Sequence, residues 1–260
     1  MKHNIVTFIA VTVFALSGII FWETGFAWLV LSLVAVIYFA ILAYGSFKIQ
    51  ANYYFTSIHK GKRKSVALTF DDGPDEESTP KILQILKDKN VKATFFVIGK
   101  KAEKYPELIR RIDEDGHTIA NHSYSHNYLI AFFSTKRLKA DLVRCNEVIS
   151  GIIDKSPLFF RPPFGVTNPR YATVLKELKL CSIGWSLRSL DTRAKNKYQL
   201  ISRILGVLQK RDIILLHDNR SVTADSLEDI IEHCVQKGIK IEPLPRLIDK
   251  EAYGKKPDNF

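Results

Sequence analysis

The stretch Val66-Ala-Leu-Thr-Phe-Asp-Asp-Gly-Pro74 opens with residues that favour an extended strand and stops at two carboxylates and a Gly-Pro turn. Parallel α/β folds collect their sites at the carboxyl ends of strands, where loops converge, and an acidic strand end of this kind suits that class. Asp71 and Asp72 are adjacent, so their side chains leave the chain in different directions. One can then bind a metal ion while the other acts on a water held by that ion. Taken alone, the stretch reads equally well as an acidic turn ahead of a helix.

Its neighbours favour the first reading. From Ser65 onward, short β-branched or aromatic runs alternate with amphipathic stretches. Strands are expected at 66–70, 93–98, 118–121, 158–161, 181–185, 212–217 and 239–242. Between them, Thr79-Pro80 reads as a helix cap and first turn, with Ile82, Ile85 and Leu86 at helical spacing. Leu108, Ile109 and Ile112 belong to a helix stopped by Gly116; Leu138, Leu142, Cys145 and Ile149 line a third, and Leu227, Ile230, Ile231 and Cys234 a fourth before Gly238. Seven strands alternating with helices predict one α/β domain with a parallel sheet, open or closed into a barrel.

Three further polar clusters fall at expected strand ends. His122 and His126 are four residues apart, a spacing that on one helical turn suits a zinc-like ion and, with Asp72, offers two nitrogens and one oxygen. Arg161-Pro-Pro-Phe-Gly165 holds a guanidinium on a stiff turn, ready to clamp a carboxylate. Ile213-Ile-Leu-Leu-His217-Asp218 delivers an imidazole from an apolar strand, suited to general acid work near neutral pH. Each alone reads as a structural side chain; four clusters at four strand ends do not. Cys145, Cys181 and Cys234 are widely spaced and odd in number, which supports neither a disulfide framework nor a thiolate metal site.

The ordered set Thr69-Phe-Asp-Asp-Gly-Pro74, His122-Ser-Tyr-Ser-His126, Arg161-Pro-Pro-Phe-Gly165, Trp185 to Thr192 and Leu215-Leu-His-Asp218 resembles the motifs of the polysaccharide deacetylase family, also called NodB-homology or carbohydrate esterase family 4. The resemblance covers roughly residues 65 to 250. It implies a distorted (β/α)7 barrel and metal-dependent removal of N-acetyl groups from sugars. By the same resemblance Asp71 is the catalytic base, and Asp72, His122 and His126 bind a divalent metal. Zinc is the first expectation, with Co2+, Ni2+ or Mn2+ open. Arg161 holds Asp71, the Phe164 N–H is an oxyanion donor where the family usually has tyrosine, His217 is the general acid, and Leu216 with Trp185 lines the acetyl-methyl pocket. Many members carry Asp-x-x-Asp-Trp where this chain has Arg188-Ser-Leu-Asp191-Thr192; Asp191 stays available to orient His217, and Arg188 to meet an anionic group on the substrate. An O-acetyl esterase and an inactive glycan-binding protein are the competing functions.

The resemblance does not extend to the N-terminal region. Of 260 residues, 46% are hydrophobic and 25% charged, enough for one substantial core, but the apolar residues are concentrated in two runs. Ile5–Trp22 and Phe26–Phe47 carry no charge and would make helices of roughly 27 and 33 Å, against roughly 30 Å of hydrocarbon in a bilayer. Neither shows a polar face, so two transmembrane helices in residues 1–47 are expected. Cleavage after Ala15-Leu16-Ser17 as a signal peptide is the rival reading. Net charge is +11, and residues 1–64 hold six Lys or Arg against Glu23 alone. Basic flanks around an acidic turn place both termini and the catalytic domain at the cytoplasmic face, the extracellular side being the alternative. Residues 48–64 read as a basic juxtamembrane linker near lipid headgroups, 65–250 as the deacetylase domain and 251–260 as a tail. The expected partners are an N-acetylated carbohydrate and membrane lipid; without interleaved aromatics, nucleic acid is not.

Overall fold

The computed structural model describes residues 2–24 and 26–254; Gly25 in the turn between the apolar runs and residues 255–260 of the expected tail lie outside the described residues. Two long helices lead, α1 (Lys2–Phe21) and α2 (Ala27–Phe47), each long and apolar enough to cross a membrane and only 6% buried. They lie side by side, with Thr7 Oγ1 2.9 Å from the Tyr38 hydroxyl.

The remainder is a parallel sheet wrapped in helices. Its elements are β1 (Ser57–Ile58), β2 (Ala67–Gly73), α3 (Ser78–Asp88), β3 (Thr94–Val97), α4 (Gly99–Lys104), α5 (Pro106–Glu114), β4 (Thr118–Asn121), α6 (Thr135–Ile153), β5 (Ser156–Pro157), β6 (Phe159–Phe160), α7 (Pro169–Glu177), β7 (Cys181–Ile183), β8 (Leu187–Arg188), α8 (Lys197–Val207), β9 (Ile213–His217), α9 (Ser221–Gln236), α10 (Leu244–Ile248) and β10 (Tyr253–Gly254). Eight strands pair in the order β1-β7-β6-β4-β3-β2-β9-β8, all parallel, while β5 and β10 form a small antiparallel pair. β7 and β8 lie toward opposite edges of this sheet, yet only Gly184, Trp185 and Ser186 separate them. The four Cα steps from Ile183 to Leu187 reach about 13 Å at most, so the sheet must curl until its edges approach each other. The result is the curled half-barrel of the expected (β/α)7 kind.

Period-two alternation sorts the strand residues into two layers. Leu68, Phe70, Phe95, Val97, Ile119, Ile214 and Leu216 point outward against Ile82, Leu83 and Leu86 of α3 and Leu227, Ile230 and Ile231 of α9. Ala67, Phe96, Ala120, Phe159, Ile183 and Ile213 form a second cluster with Leu244, Leu247 and Ile248, so α10 plugs the end of the sheet opposite the site.

Three differences from the sequence reading stand out. The expected strand 239–242 makes only a single bridge, Val66 to Ile241, because Pro243 follows at once and turns the chain into α10. Residues 48–64, expected as a link, also contribute β1, whose Ser57 and Ile58 pair with Ser182 and Ile183. Thr79 does not cap α3: the Asp75 carboxylate accepts from the Glu77 and Ser78 N–H groups, and the Thr79 hydroxyl donates instead to Asp218 at 2.7 Å. Leu247 is fully buried in the α10 plug, so Leu247→Ala should cost about 2–5 kcal/mol in denaturant unfolding of the detergent-solubilised chain. A loss under about 1 kcal/mol would mean that the plug contributes little.

Candidate active site

Two adjacent strand residues normally face opposite sides of a sheet. Here the register between β2 and β3 slips after Asp71, pairing Asp71 with Phe96 and Gly73 with Val97, so Asp72 is the extra residue of a bulge with φ of 71°. The bulge turns both carboxylates to the same cleft. Lys101 Nζ donates to the Asp72 carbonyl at 2.7 Å and holds it. Behind it, a Cβ at Gly73 would collide with the Asp218 carboxylate. Asp218 is wholly buried, which pushes its carboxyl up to about 7; Thr79 bonds one oxygen, and Oδ1 has no hydrogen-bond partner among the described residues.

Arg161, just past β6, is fully buried. Its Nη1 donates to Asp71 Oδ1 at 2.7 Å and to Thr69 Oγ1 at 2.9 Å, its Nε to the Ile183 carbonyl and its Nη2 to the Gly184 carbonyl, and the guanidinium lies 4.0 Å from the Phe96 ring centre. The fork thus pins one oxygen of Asp71 and leaves Oδ2 toward the cleft, 3.8 Å from His122 Nε2.

His122 and His126 meet by a different route from the helical turn their spacing suggests. No helix forms there: Ser123 and His126 both adopt left-handed backbone, the Ser123 hydroxyl accepts from His126 N–H, and Asp141 of α6 accepts from the N–H groups of Tyr124 and Ser125. Side-chain acceptors next to the loop offer the backbone an alternative to helical bonds. His122 Nδ1 lies 2.8 Å from the Arg161 carbonyl; a carbonyl only accepts, so Nδ1 carries the proton and Nε2 keeps its lone pair for the cleft. Asp72 Oδ1 lies 3.4 Å from His122 Nε2 and 3.1 Å from His126 Nε2, and one donor atom from each residue falls within 4.8 Å of the others. Burial alone would raise the Asp72 carboxyl; when the facing histidines are protonated, their hydrogen bonds and charge outweigh it and lower the group far below the usual carboxylate range, and a cation held in the same place would act in the same direction. Two imidazole nitrogens and a carboxylate oxygen, converging with the histidine tautomer already set, fit a divalent transition ion.

On the neighbouring strand β9, His217 pairs in register with Asp71. Asp191, 1% exposed, takes the His217 Nδ1–H at 2.7 Å with one oxygen, and with the other accepts from the His217 N–H and the Thr223 hydroxyl. Burial pulls the His217 pKa down, but the Asp191 carboxylate more than compensates and raises it above the ordinary imidazole value.

The cleft, about 470 Å³, is lined by Asp71, Asp72, His122, His126, Phe164, Trp185 and His217, together with Lys101, Tyr128, Arg188, Thr192, Leu215 and Arg220. Phe164 takes left-handed backbone with φ of 59°, and its half-exposed ring lies against His126 and stacks with Tyr128. Leu216 is not part of the cleft. It faces the helix layer, and Leu215 stands beside Trp185 in its place, because His217 points inward and strand parity puts Leu215 on the same face. Counting back two from His217 would have found it. Lys101, by contrast, carried no sequence signal beyond lying just past β3, and Arg220 none beyond following His217 at the same strand end.

The family model described as Polysaccharide deacetylase matches residues 59–183. A peptidoglycan-N-acetylglucosamine deacetylase of Bacillus cereus is 35% identical over 189 residues, which cover 71% of this chain and 68% of that protein. The chain belongs to the polysaccharide deacetylase family. The peptidoglycan-N-acetylglucosamine deacetylase PgdA of Listeria monocytogenes is 33% identical over 193 residues, 74% of this chain but only 40% of that protein. The solved Bc1960 peptidoglycan N-acetylglucosamine deacetylase superposes with a TM-score of 0.72 at 33% identity, covering 75% of this chain and 94% of that one. Polysaccharide deacetylases are metal-dependent hydrolases acting on the carbon–nitrogen amide bond of acetylated sugars, and the Asp72, His122 and His126 cluster is a possible metal site of matching chemistry.

The Asp191–His217 pair makes a pH prediction. In the general-acid role expected of it, His217 works only while protonated; with its pKa raised it keeps its proton above the ordinary imidazole range, and activity should fall only as pH passes that higher value. Asp191→Asn should move the alkaline limb of the kcat profile downward while leaving metal affinity alone. An unmoved limb would remove Asp191 from the proton chemistry.

Proposed function

We propose that this chain is a membrane-anchored N-deacetylase that hydrolyses the acetamide of an N-acetylated amino sugar. The observation that carries the reading is the division of labour at Asp71: Arg161 holds Oδ1, while Oδ2 faces the donor cluster of Asp72, His122 and His126. The names of the relatives, peptidoglycan-N-acetylglucosamine deacetylases, support an acetylated amino sugar as the reacting unit.

When bound by Asp72, His122 and His126, a divalent ion, zinc by the fit of its donors, supplies Lewis acidity to the amide carbonyl and to a water. Asp71 is the base: with Oδ1 tied to Arg161, its free Oδ2 takes the proton of the attacking water. The Phe164 N–H, on its left-handed turn, donates to the oxygen that gains charge. Opposite Asp71, His217 gives the Nε2 proton to the leaving amine, its imidazolium stabilised by Asp191. Trp185 and Leu215, packed together, form the wall for the acetyl methyl group.

Chelation should abolish hydrolysis of an N-acetylated sugar, and a divalent cation should restore it. Asp71→Asn should lower kcat by about 10²-fold or more with metal titration unchanged, whereas Asp72→Asn should weaken metal binding itself. Identical behaviour of the two variants in both assays would overturn the assignment of roles.

The reading places α1 and α2 across the membrane as a hairpin, with the barrel at the cytoplasmic face. Lys2 Nζ donates to the Ala51 carbonyl at 2.8 Å and His3 N–H to the Tyr53 carbonyl, so the start of α1 and the segment after α2 meet on the barrel side. The basic residues concentrate there as well. A reporter active only outside the cytoplasm, fused at the C-terminus, should stay silent. Strong reporter signal would move the barrel to the other side and make an extracellular glycan the better substrate.

A further inference from the structure

The end of α2 is built into the site. Ile49, two residues past the helix, is buried in one cluster with Trp185 and Leu215, the wall of the cleft. The Gln50 amide donates to the Trp185 carbonyl at 2.9 Å. The loop carrying Phe164 continues to Thr167, whose N–H and hydroxyl donate to the Ser46 and Gly45 carbonyls at 2.9 Å each. A helix apolar enough to span a bilayer thus ends against two sides of the catalytic mouth. The same rim exposes Tyr128, Leu129 and Phe132, at 87, 63 and 77%, beside the half-exposed Phe164. Large apolar side chains around an opening that touches the end of a span suit a mouth lying in the headgroup region.

A second cleft, about 430 Å³, adjoins this mouth and shares Trp185 and Arg188 with it. Lys48, Lys60, Arg188 and Arg203 line it, and Phe47, the last residue of α2 and three-quarters exposed, forms its edge. All four cations are exposed, and none forms an ion pair among the described residues. The one carboxylate lining the cleft, Asp212, is turned to the Ser186 hydroxyl and the Gln209 N–H. Four unpaired cations around a concave surface recognise an anion with several oxygens, and two arginines favour a phosphate.

We propose that this cleft binds the phosphate or pyrophosphate of an amphiphilic substrate, a lipid-linked N-acetylated amino sugar. The lipid stays in the bilayer beside α2, the phosphate sits among Lys48, Lys60, Arg188 and Arg203, and the sugar reaches past Trp185 to Asp71 and the metal-ligand cluster. The proposal rests on the deacetylase reading for the sugar's acetamide, while the phosphate cleft is tested by binding alone.

The test uses the full chain in neutral detergent micelles and a synthetic long-chain lipid joined to N-acetylglucosamine through pyrophosphate, compared with the same lipid joined by a plain glycosidic bond. The pyrophosphate lipid should bind at least about tenfold more tightly. Lys60→Gln with Arg203→Gln should erase that advantage, and Lys60→Arg with Arg203→Lys should keep it. The ratio of the two affinities is read on the wild-type chain with and without chelator, so a failure of hydrolysis is scored apart from a failure of the cleft. Equal affinity for the two lipids, or an advantage that survives the double glutamine variant, would overturn the proposal. So would competition by inorganic pyrophosphate alone at the lipid's own affinity, which would make a water-soluble phosphosugar the ligand. Equal competition by phosphatidylglycerol vesicles, with none by phosphatidylcholine vesicles, would reduce the cleft to a headgroup anchor and overturn the substrate role.

Discussion

The buried ion pair between Arg161 and Asp71 is the interaction on which the catalytic end of this barrel is organised. A guanidinium without solvent must find acceptors for its N–H groups, and Arg161 makes four such bonds to two strands, to Asp71 and Thr69 on β2 and to the carbonyls at the end of β7, while its own backbone follows β6. Removing one partner of such a pair leaves an uncompensated buried charge, at a cost of about 3–5 kcal/mol. The pair therefore sets the positions of strand ends that lie on different sides of the curled sheet. It also sets chemistry, because the Arg161 carbonyl fixes the His122 tautomer while its side chain orients Asp71.

Around that pair, local backbone irregularities do what regular strands cannot. The Asp72 bulge and the left-handed residues Ser123, His126 and Phe164 occur where the cleft lies. Each holds a non-glycine residue in a sparsely populated conformation, and bonds from other elements tie the bulge and the histidine loop, Lys101 to Asp72 and Asp141 to the backbone between the two histidines. Strain of this kind persists when the surroundings over-determine it. In exchange it aims two adjacent carboxylates and two histidines at one point.

The site is also continuous with the N-terminal helices. Ile49 packs on Trp185 and Leu215 at the cleft, and Thr167 ties the Phe164 loop to the end of α2. An orientation of the barrel with its strand ends away from α2 would leave these contacts unmade. In the membrane-anchored reading proposed above, this coupling would place the chemistry at the bilayer surface, which is a constraint on substrate as much as on location.

Much of this was legible in the sequence, for identifiable reasons. Strand ends that break into Asp-Asp-Gly-Pro or Leu-His-Asp, and charge-free runs of membrane-spanning length, are local patterns, and local patterns survive without coordinates. The residue types at Asp71, Asp72, His122, His126, Arg161 and His217 carried their chemistry with them. What needed the fold was parity, register and contact at long range. Leu215 and Leu216 differ by one position, and only the direction of His217 on β9 says which of them meets Trp185. The 239–242 run has the composition of a strand, but Pro243 and the α10 plug leave it a single bridge. Residues 57 and 58 are too few to read as a strand, and they become one because the edge of β7 is free to take them. The pairing of Asp191 with His217, 26 residues apart, is reached from the sequence only through the family resemblance, and the meeting of Lys48, Lys60, Arg188 and Arg203 in one cleft follows from no spacing at all. Composition and periodicity determine which residues seek burial, water or charge; which of them then touch is determined by how the sheet curls, since closure of the sheet is a property of the whole chain and of no segment within it.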